Sequence, residues 1–157
     1  MVSDAVAVAV LTLVAFFSSG FSAIASGAPR HVLRAPVISE GRATILPCTR
    51  QDQSTIGMMG CNEEHARELD RRINEEVALI FTFLDPAEQL SLIRAEKAWL
   101  NYRNSDCDSV ASLFQGGTIG PVVYGSCEVK DDQQYSDHLH GFYLFVTEGR
   151  GTVPRWP

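Results

Sequence analysis

Residues 54–89 read STIGMMGCNEEHARELDRRINEEVALIFTFLDPAEQ, and this stretch decides the fold class. Met58, Cys61, His65, Leu69, Ile73, Val77, Ile80, Phe81 and Leu84 recur mainly at steps of three and four, the stripe of an amphipathic helix. Glu63, Glu64, Glu68, Arg71, Arg72 and Glu75 occupy the other face. On that face Glu68 and Arg72 form a favourable i,i+4 pair, whereas Glu64 and Glu68 repel. Gly57 and Gly60 each cost about 1 kcal/mol relative to Ala inside a helix, so the first turn is expected to fray. At Asp85-Pro86 the helix must stop, because the residue before a proline is pushed out of the α region. Asp85, Pro86 and Glu88 then suit the N-cap, N1 and N3 positions of a second helix.

Toward the C-terminus, the second helix is expected to run to about Phe114. Its apolar face is read as Leu92 or Ile93, Ala95, Trp99, Leu100, Tyr102, Cys107 and Val110. Gln115-Gly116-Gly117 ends it. A turn-rich stretch from Gly116 to Gly125 leads to Ser126, the expected N-cap of a third helix. Glu128, Asp131 and Asp132 then lie near the positive end of that helix, and His138 and His140 toward its negative end. Tyr135, Leu139, Phe142, Tyr143 and Val146 keep helical spacing; the alternative is that Gly141 ends the helix and residues 142–146 form a strand. Residues 147–157 read as a loose tail. Two long helices joined by a tight turn make an antiparallel hairpin. The expected class is therefore all-α, a helical hairpin plus a third helix, in a domain over residues 51–146.

Toward the N-terminus, residues 5–17 are apolar apart from Thr12, and Ala23-Ile24-Ala25 offers a small-x-small cleavage pattern. This reads as a secretory signal peptide over residues 1–25, although Asp4 stands where a basic residue is usual. The run is short for a membrane span, which needs about 20 residues. Residues 26–50 hold three prolines and two glycines without a helical period and read as an extended leader, with one short strand at residues 43–46.

The 157 residues are 45% hydrophobic and 20% charged, the composition of one folded domain. The formal net charge of −6 argues against nucleic acid and anionic membrane as partners. It makes a basic protein the natural one. Cys48, Cys61, Cys107 and Cys127 all follow the signal segment, and four cysteines in an exported chain read as two disulfides. The spacing lacks the close pairs of a four-Cys zinc site. In an antiparallel hairpin turning near residue 84, Cys61 and Cys107 are level. The nested pairing, Cys61–Cys107 with Cys48–Cys127, is therefore favoured, and sequential pairing is the alternative.

Signatures of catalysis are weak. His138-Leu-His140 suits a metal only on a strand, because i and i+2 diverge on a helix. His65 reads as a partly buried histidine, and Glu63-Glu64 and Asp131-Asp132 as solvated faces. Nucleophile-elbow and phosphate-loop patterns are missing, and Gly116-Gly117 follows a helix instead of preceding one. No cofactor is implied. Trp99 reads as core filling, and the Arg103 guanidinium as a partner for an acid on a neighbouring helix.

The order of these residues resembles the LprI-like lysozyme-inhibitor domain of exported bacterial proteins. Met58 and Cys61 are followed by Asp70-Arg-Arg-Ile73-Asn74, then Ala95-Glu96-Lys97-Ala98-Trp99, Tyr102-Arg103-Asn104 and Cys107, then Gly116-Gly117-Thr118 and Cys127. The likeness covers about residues 48–140, and the Trp99, Tyr102-Arg103, Cys107 block is its most specific part. Glu96 replaces the family's usual Gln. Asp131 and Gln134 stand where the family often has Thr and Arg. The resemblance implies a non-catalytic, periplasmic or secreted protein that binds lysozyme. Its acidity would speed association with a basic lysozyme, with Glu63, Glu64, Glu68 and the Gly116–Gly125 loop as candidate contacts. A non-inhibitory interaction module and a small hydrolase using His65 or His138 and His140 are the alternatives.

Overall fold

Three helices account for most of the described residues: α1 (Thr55–Phe81), α2 (Pro86–Ser112) and α3 (Gly120–Thr147). The computed structural model describes residues 33–37, 46–48, 53–151 and 153–157, all within the compact unit Val32–Pro157. The expected signal segment and residues 43–45 of the expected short strand lie outside the described residues. Among those described there is no strand, and no helix is long and apolar enough to cross a membrane.

Local chemistry sets the helix ends. Ser54 caps α1, its Oγ accepting from Gly57 N at 3.1 Å. The Asp85 carboxylate accepts from Ala87 N at 2.8 Å and Glu88 N at 2.9 Å, and the Glu88 carboxylate accepts from Asp85 N at 2.8 Å. This is the reciprocal capping box expected at the turn, with Pro86 beginning the helix. Gly116 follows α2 with φ +82°, a conformation that favours glycine.

The third helix starts six residues before the expected Ser126. Pro121, with its fixed φ and no N–H to leave unpaired, stabilises a first turn beginning at Gly120. Ser126 lies inside the helix, where its Oγ accepts from Asn62 Nδ2 of α1 at 2.9 Å. The helix also runs through Gly141 to Thr147, so the alternative strand does not form.

The hydrogen bonds fix the packing directions. Asn62 of α1 reaches the Val122 carbonyl of α3, and Glu76 of α1 meets Ser136 of α3, both across a separation of 60 residues. A constant separation means that α1 and α3 run parallel. Between α2 and α3 the separation falls from 39 at Glu96–Tyr135 to 29 at Arg103–Asp132 and 20 at Cys107–Cys127, so these two are antiparallel. The hairpin is therefore present, with α3 packed against both of its arms. Ile73, Val77, Ile80, Phe81, Leu92, Leu139 and Tyr143 form the apolar core.

The disulfides are Cys48–Cys61 and Cys107–Cys127, which corrects the nested pairing. The physical reason is α3: packed along α2, it presents Cys127 to Cys107. Cys61 instead faces the segment that precedes α1. Gly60 permits that approach, since a Cβ there would lie 2.5 Å from the Pro47 carbonyl oxygen. Leu46 N donates to the Glu63 carboxylate at 3.1 Å, fixing the same segment. The closing residues, read as a loose tail, return to the bundle. Val153 and Trp156 pack against the core, and Tyr143 Oη donates to the Pro154 carbonyl.

Candidate functional site

The most specific sequence block converges on a buried polar layer. Arg103, wholly buried on α2, reaches Asp132 of α3 at 2.8 Å, Asp70 of α1 at 3.5 Å and Glu128 of α3 at 3.9 Å. Its guanidinium lies 5.2 Å from the centre of the Trp99 ring. One cation thus ties all three helices together and faces three carboxylates. Burial pushes the Asp132 carboxyl up to about 6; Asp70 and Glu128 add to the rise, and Arg103 opposes it.

Two further acids are buried nearer the apolar core. Tyr135 Oη donates to Glu96 at 2.6 Å, and Ser136 Oγ donates to Glu76 at 2.7 Å. Burial raises the Glu96 carboxyl to about 7 and the Glu76 carboxyl to about 6. Burial, and then the Glu96 acceptor, raise Tyr135 as well, so its phenol keeps its proton. Tyr135 also stacks on Trp99 with ring centres 4.0 Å apart. These groups are closed into helix–helix contacts. Their chemistry is that of a polar core that fixes which helix faces meet.

Several expected positions shift accordingly. Asp132 is buried against Arg103, not on a solvated face. On α2 the inward face carries Leu92, Glu96, Arg103 and Cys107, whereas Ala95, Tyr102 and Val110 are exposed. Arg103 pairs with an acid on a neighbouring helix, Asp132 of α3, as expected, whereas hydropathy alone passed over Glu96; the spacing of both with Leu92 and Cys107 was the signal that places them inward. His65 is exposed because the buried face of α1 is centred on Ala66, Leu69, Ile73 and Val77. His138 stacks on Tyr135, with ring centres 6.0 Å apart, while His140 stacks on Trp156 at 5.1 Å, so the pair does not converge on one site. Cys107, Cys127 and Asp131 lie close together. Both sulfurs are spent in a disulfide, which leaves no thiolate for a metal.

The surface holds the remaining features. Glu64 and Glu68 are exposed, whereas Glu63 is partly covered, with Arg67 3.7 Å away. Asn74 is partly buried. Gly116 and Gly117 lie in the exposed α2–α3 connection, beside Leu113, which is 79% exposed. Because Asn62 bonds the Val122 carbonyl, this connection and the start of α1 share one end of the bundle. A groove of about 540 Å³ runs between the first half of α2 and the last half of α3, lined by apolar residues including Leu92, Leu139 and Phe142. Nearer the middle, Trp99, Tyr102, Asp131, Gln134, Tyr135 and His138 line a cleft of about 150 Å³.

No curated protein and no solved structure matches the chain. The family model of Lysozyme inhibitor LprI matches residues 48–139, more than half of the chain. That span begins at the first cysteine, ends in α3 and contains Asp70, Trp99, Arg103 and both disulfides. By this match the chain belongs to the LprI lysozyme-inhibitor family.

Proposed function

We propose that this protein is exported and binds a lysozyme or a related peptidoglycan-cleaving enzyme, inhibiting it by occlusion. The carrying observation is the family match across residues 48–139. The scaffold supports the reading. Two disulfides and a three-helix polar layer hold the surface in one arrangement, so little conformational freedom is lost on docking. The net charge of −6 favours encounter with a basic enzyme. Export accords with the apolar segment at residues 5–17 and with the disulfides. The α2–α3 connection, which shares one end of the bundle with the start of α1, and the exposed Glu64 and Glu68 farther along α1 form the first surface to test.

The test is release of labelled peptidoglycan fragments by lysozymes of several types, titrated with the oxidised protein. Stoichiometric inhibition that disappears after reduction and alkylation is expected. A folded, oxidised sample that inhibits none of the panel would overturn the proposal and leave a non-inhibitory interaction module in its place.

A further inference from the structure

We infer that the cleft between Tyr102 of α2 and Asp131 of α3 receives a cationic side chain, an arginine or lysine, from the protein partner. The inference rests on the proposed binding to a basic enzyme and names a surface for it. Trp99, Tyr102, Asp131, Gln134, Tyr135 and His138 line the cleft, whose volume of about 150 Å³ suits one side-chain head group and not an extended ligand.

Its chemistry selects a cation. Tyr102 is 62% exposed although it lies in the middle of a long helix, so its ring is available at the rim. An aromatic face attracts a guanidinium or ammonium group. Asp131 supplies the carboxylate. Its Oδ2 lies 3.8 Å from Cys107 Sγ and 3.9 Å from Cys127 Sγ, and Asp106 Oδ2 lies 3.9 Å from Cys127 Sγ on the same bridge. The disulfide therefore holds two carboxylates close together. Burial raises the Asp131 carboxyl, and repulsion from Asp106 adds to the rise. A cation entering beside Asp131 relieves that repulsion. Lys130 and Arg103 offset part of the rise, but the Arg103 guanidinium is engaged by Asp70, Glu128 and Asp132 on the inner side of α2 and does not enter the cleft. Gln134 adds an exposed amide that can accept from a guanidinium. The floor of the cleft is preorganised, with Trp99 and Tyr135 stacked on each other and Tyr135 tied to Glu96.

Two measurements on the oxidised protein test this. In a nuclear magnetic resonance titration, N-acetyl-arginine amide is expected to shift signals of Trp99, Tyr102, Asp131 and His138 in a saturable way. The uncharged isostere N-acetyl-citrulline amide should not, and Asp131→Asn should abolish the response. Against an inhibited lysozyme, Asp131→Asn and Tyr102→Ala are each expected to weaken binding about tenfold, whereas Tyr102→Phe, which keeps the aromatic face, should bind normally. Tyr102 is exposed and Asp131→Asn removes a repulsion, so both variants should fold, as circular dichroism will verify.

Equal shifts with citrulline, no local shifts, or shifts with an N-acetylglucosamine trimer in place of arginine would overturn the inference. Arginine binding with unchanged lysozyme affinity in both variants would overturn it too. If no lysozyme binds the unaltered protein, the proposed function fails, and the arginine titration still decides the cleft.

Discussion

Replacing Arg103 with methionine tests whether the polar layer holds the fold together. The guanidinium is fully buried and supplies the cation for Asp132 at 2.8 Å, Asp70 at 3.5 Å and Glu128 at 3.9 Å. Methionine fills much of the volume but leaves three carboxylates facing one another. Removing one partner of a buried ion pair costs about 3–5 kcal/mol, because the remaining charge stays desolvated. With three acids left behind, the upper part of that range is expected at pH 7.5, a fall in Tm of roughly 12–20 °C for a domain of this size. The sign with pH follows from the carboxyls. Asp132 is already raised to about 6, and loss of Arg103 pushes it higher. An acid whose folded pKa exceeds its unfolded value destabilises the fold as pH rises through the folded value, and does not when both states are protonated. The variant's deficit should therefore be largest above pH 7 and shrink toward pH 4. Arg103→Lys should fall between, since one ammonium cannot reach three acids on two helices as a planar fork does. Urea unfolding followed by circular dichroism at several pH values measures this. A deficit under about 1 kcal/mol at pH 7.5, or one equal at pH 4.5 and 7.5, would refute the reasoning.

Other outcomes follow from the same contacts. Glu96→Gln keeps an acceptor for Tyr135 without a buried charge. Because the Glu96 carboxyl is raised from 4.5 to about 7, the unaltered protein should lose about 3 kcal/mol between pH 4.5 and pH 8 that the variant keeps, as paired urea titrations will show. Gly60→Ala would set a Cβ 2.5 Å from the Pro47 carbonyl oxygen and should destabilise by about 1–3 kcal/mol. Gly141→Ala, with nothing near the new Cβ, should stabilise by about 0.5–1 kcal/mol, both glycine variants being measured by urea unfolding. Non-reducing peptide mapping should recover Cys48 joined to Cys61 and Cys107 joined to Cys127. Replacing Cys107 and Cys127 together with serine should cost about 3 kcal/mol in denaturant unfolding.

The legible parts of the fold are those governed by neighbouring residues. The stripe from Leu69 to Phe81 lies in the core, and Asp85, Pro86 and Glu88 form their capping box, because i,i+3 and i,i+4 chemistry needs no knowledge of the rest of the chain. The disulfide pairing failed for the opposite reason. Level positions on two helices say which residues could meet only if nothing lies between them, and α3 takes the place beside Cys107. The buried acids were missed because Glu96, Glu128 and Asp132 count as surface residues in any hydropathy pattern. Their burial depends on Tyr135 and Arg103, which come from other helices.

This division bears on what a family match transmits. Asp70, Trp99 and Arg103 lie within the matched span and meet between the helices: the guanidinium pairs with Asp70 and lies near the Trp99 ring. Those residues fix how three helices close, and a closed bundle can present many different surfaces. In the cleft proposed above, the exposed Tyr102 and Gln134 flank Asp131, whose carboxylate and that of Asp106 lie against one disulfide. Exchanging Gln134 for Arg in this chain should therefore weaken binding to a basic lysozyme about tenfold while leaving the unfolding midpoint unchanged. Unaltered affinity in that variant would mean that the partner docks elsewhere on the bundle.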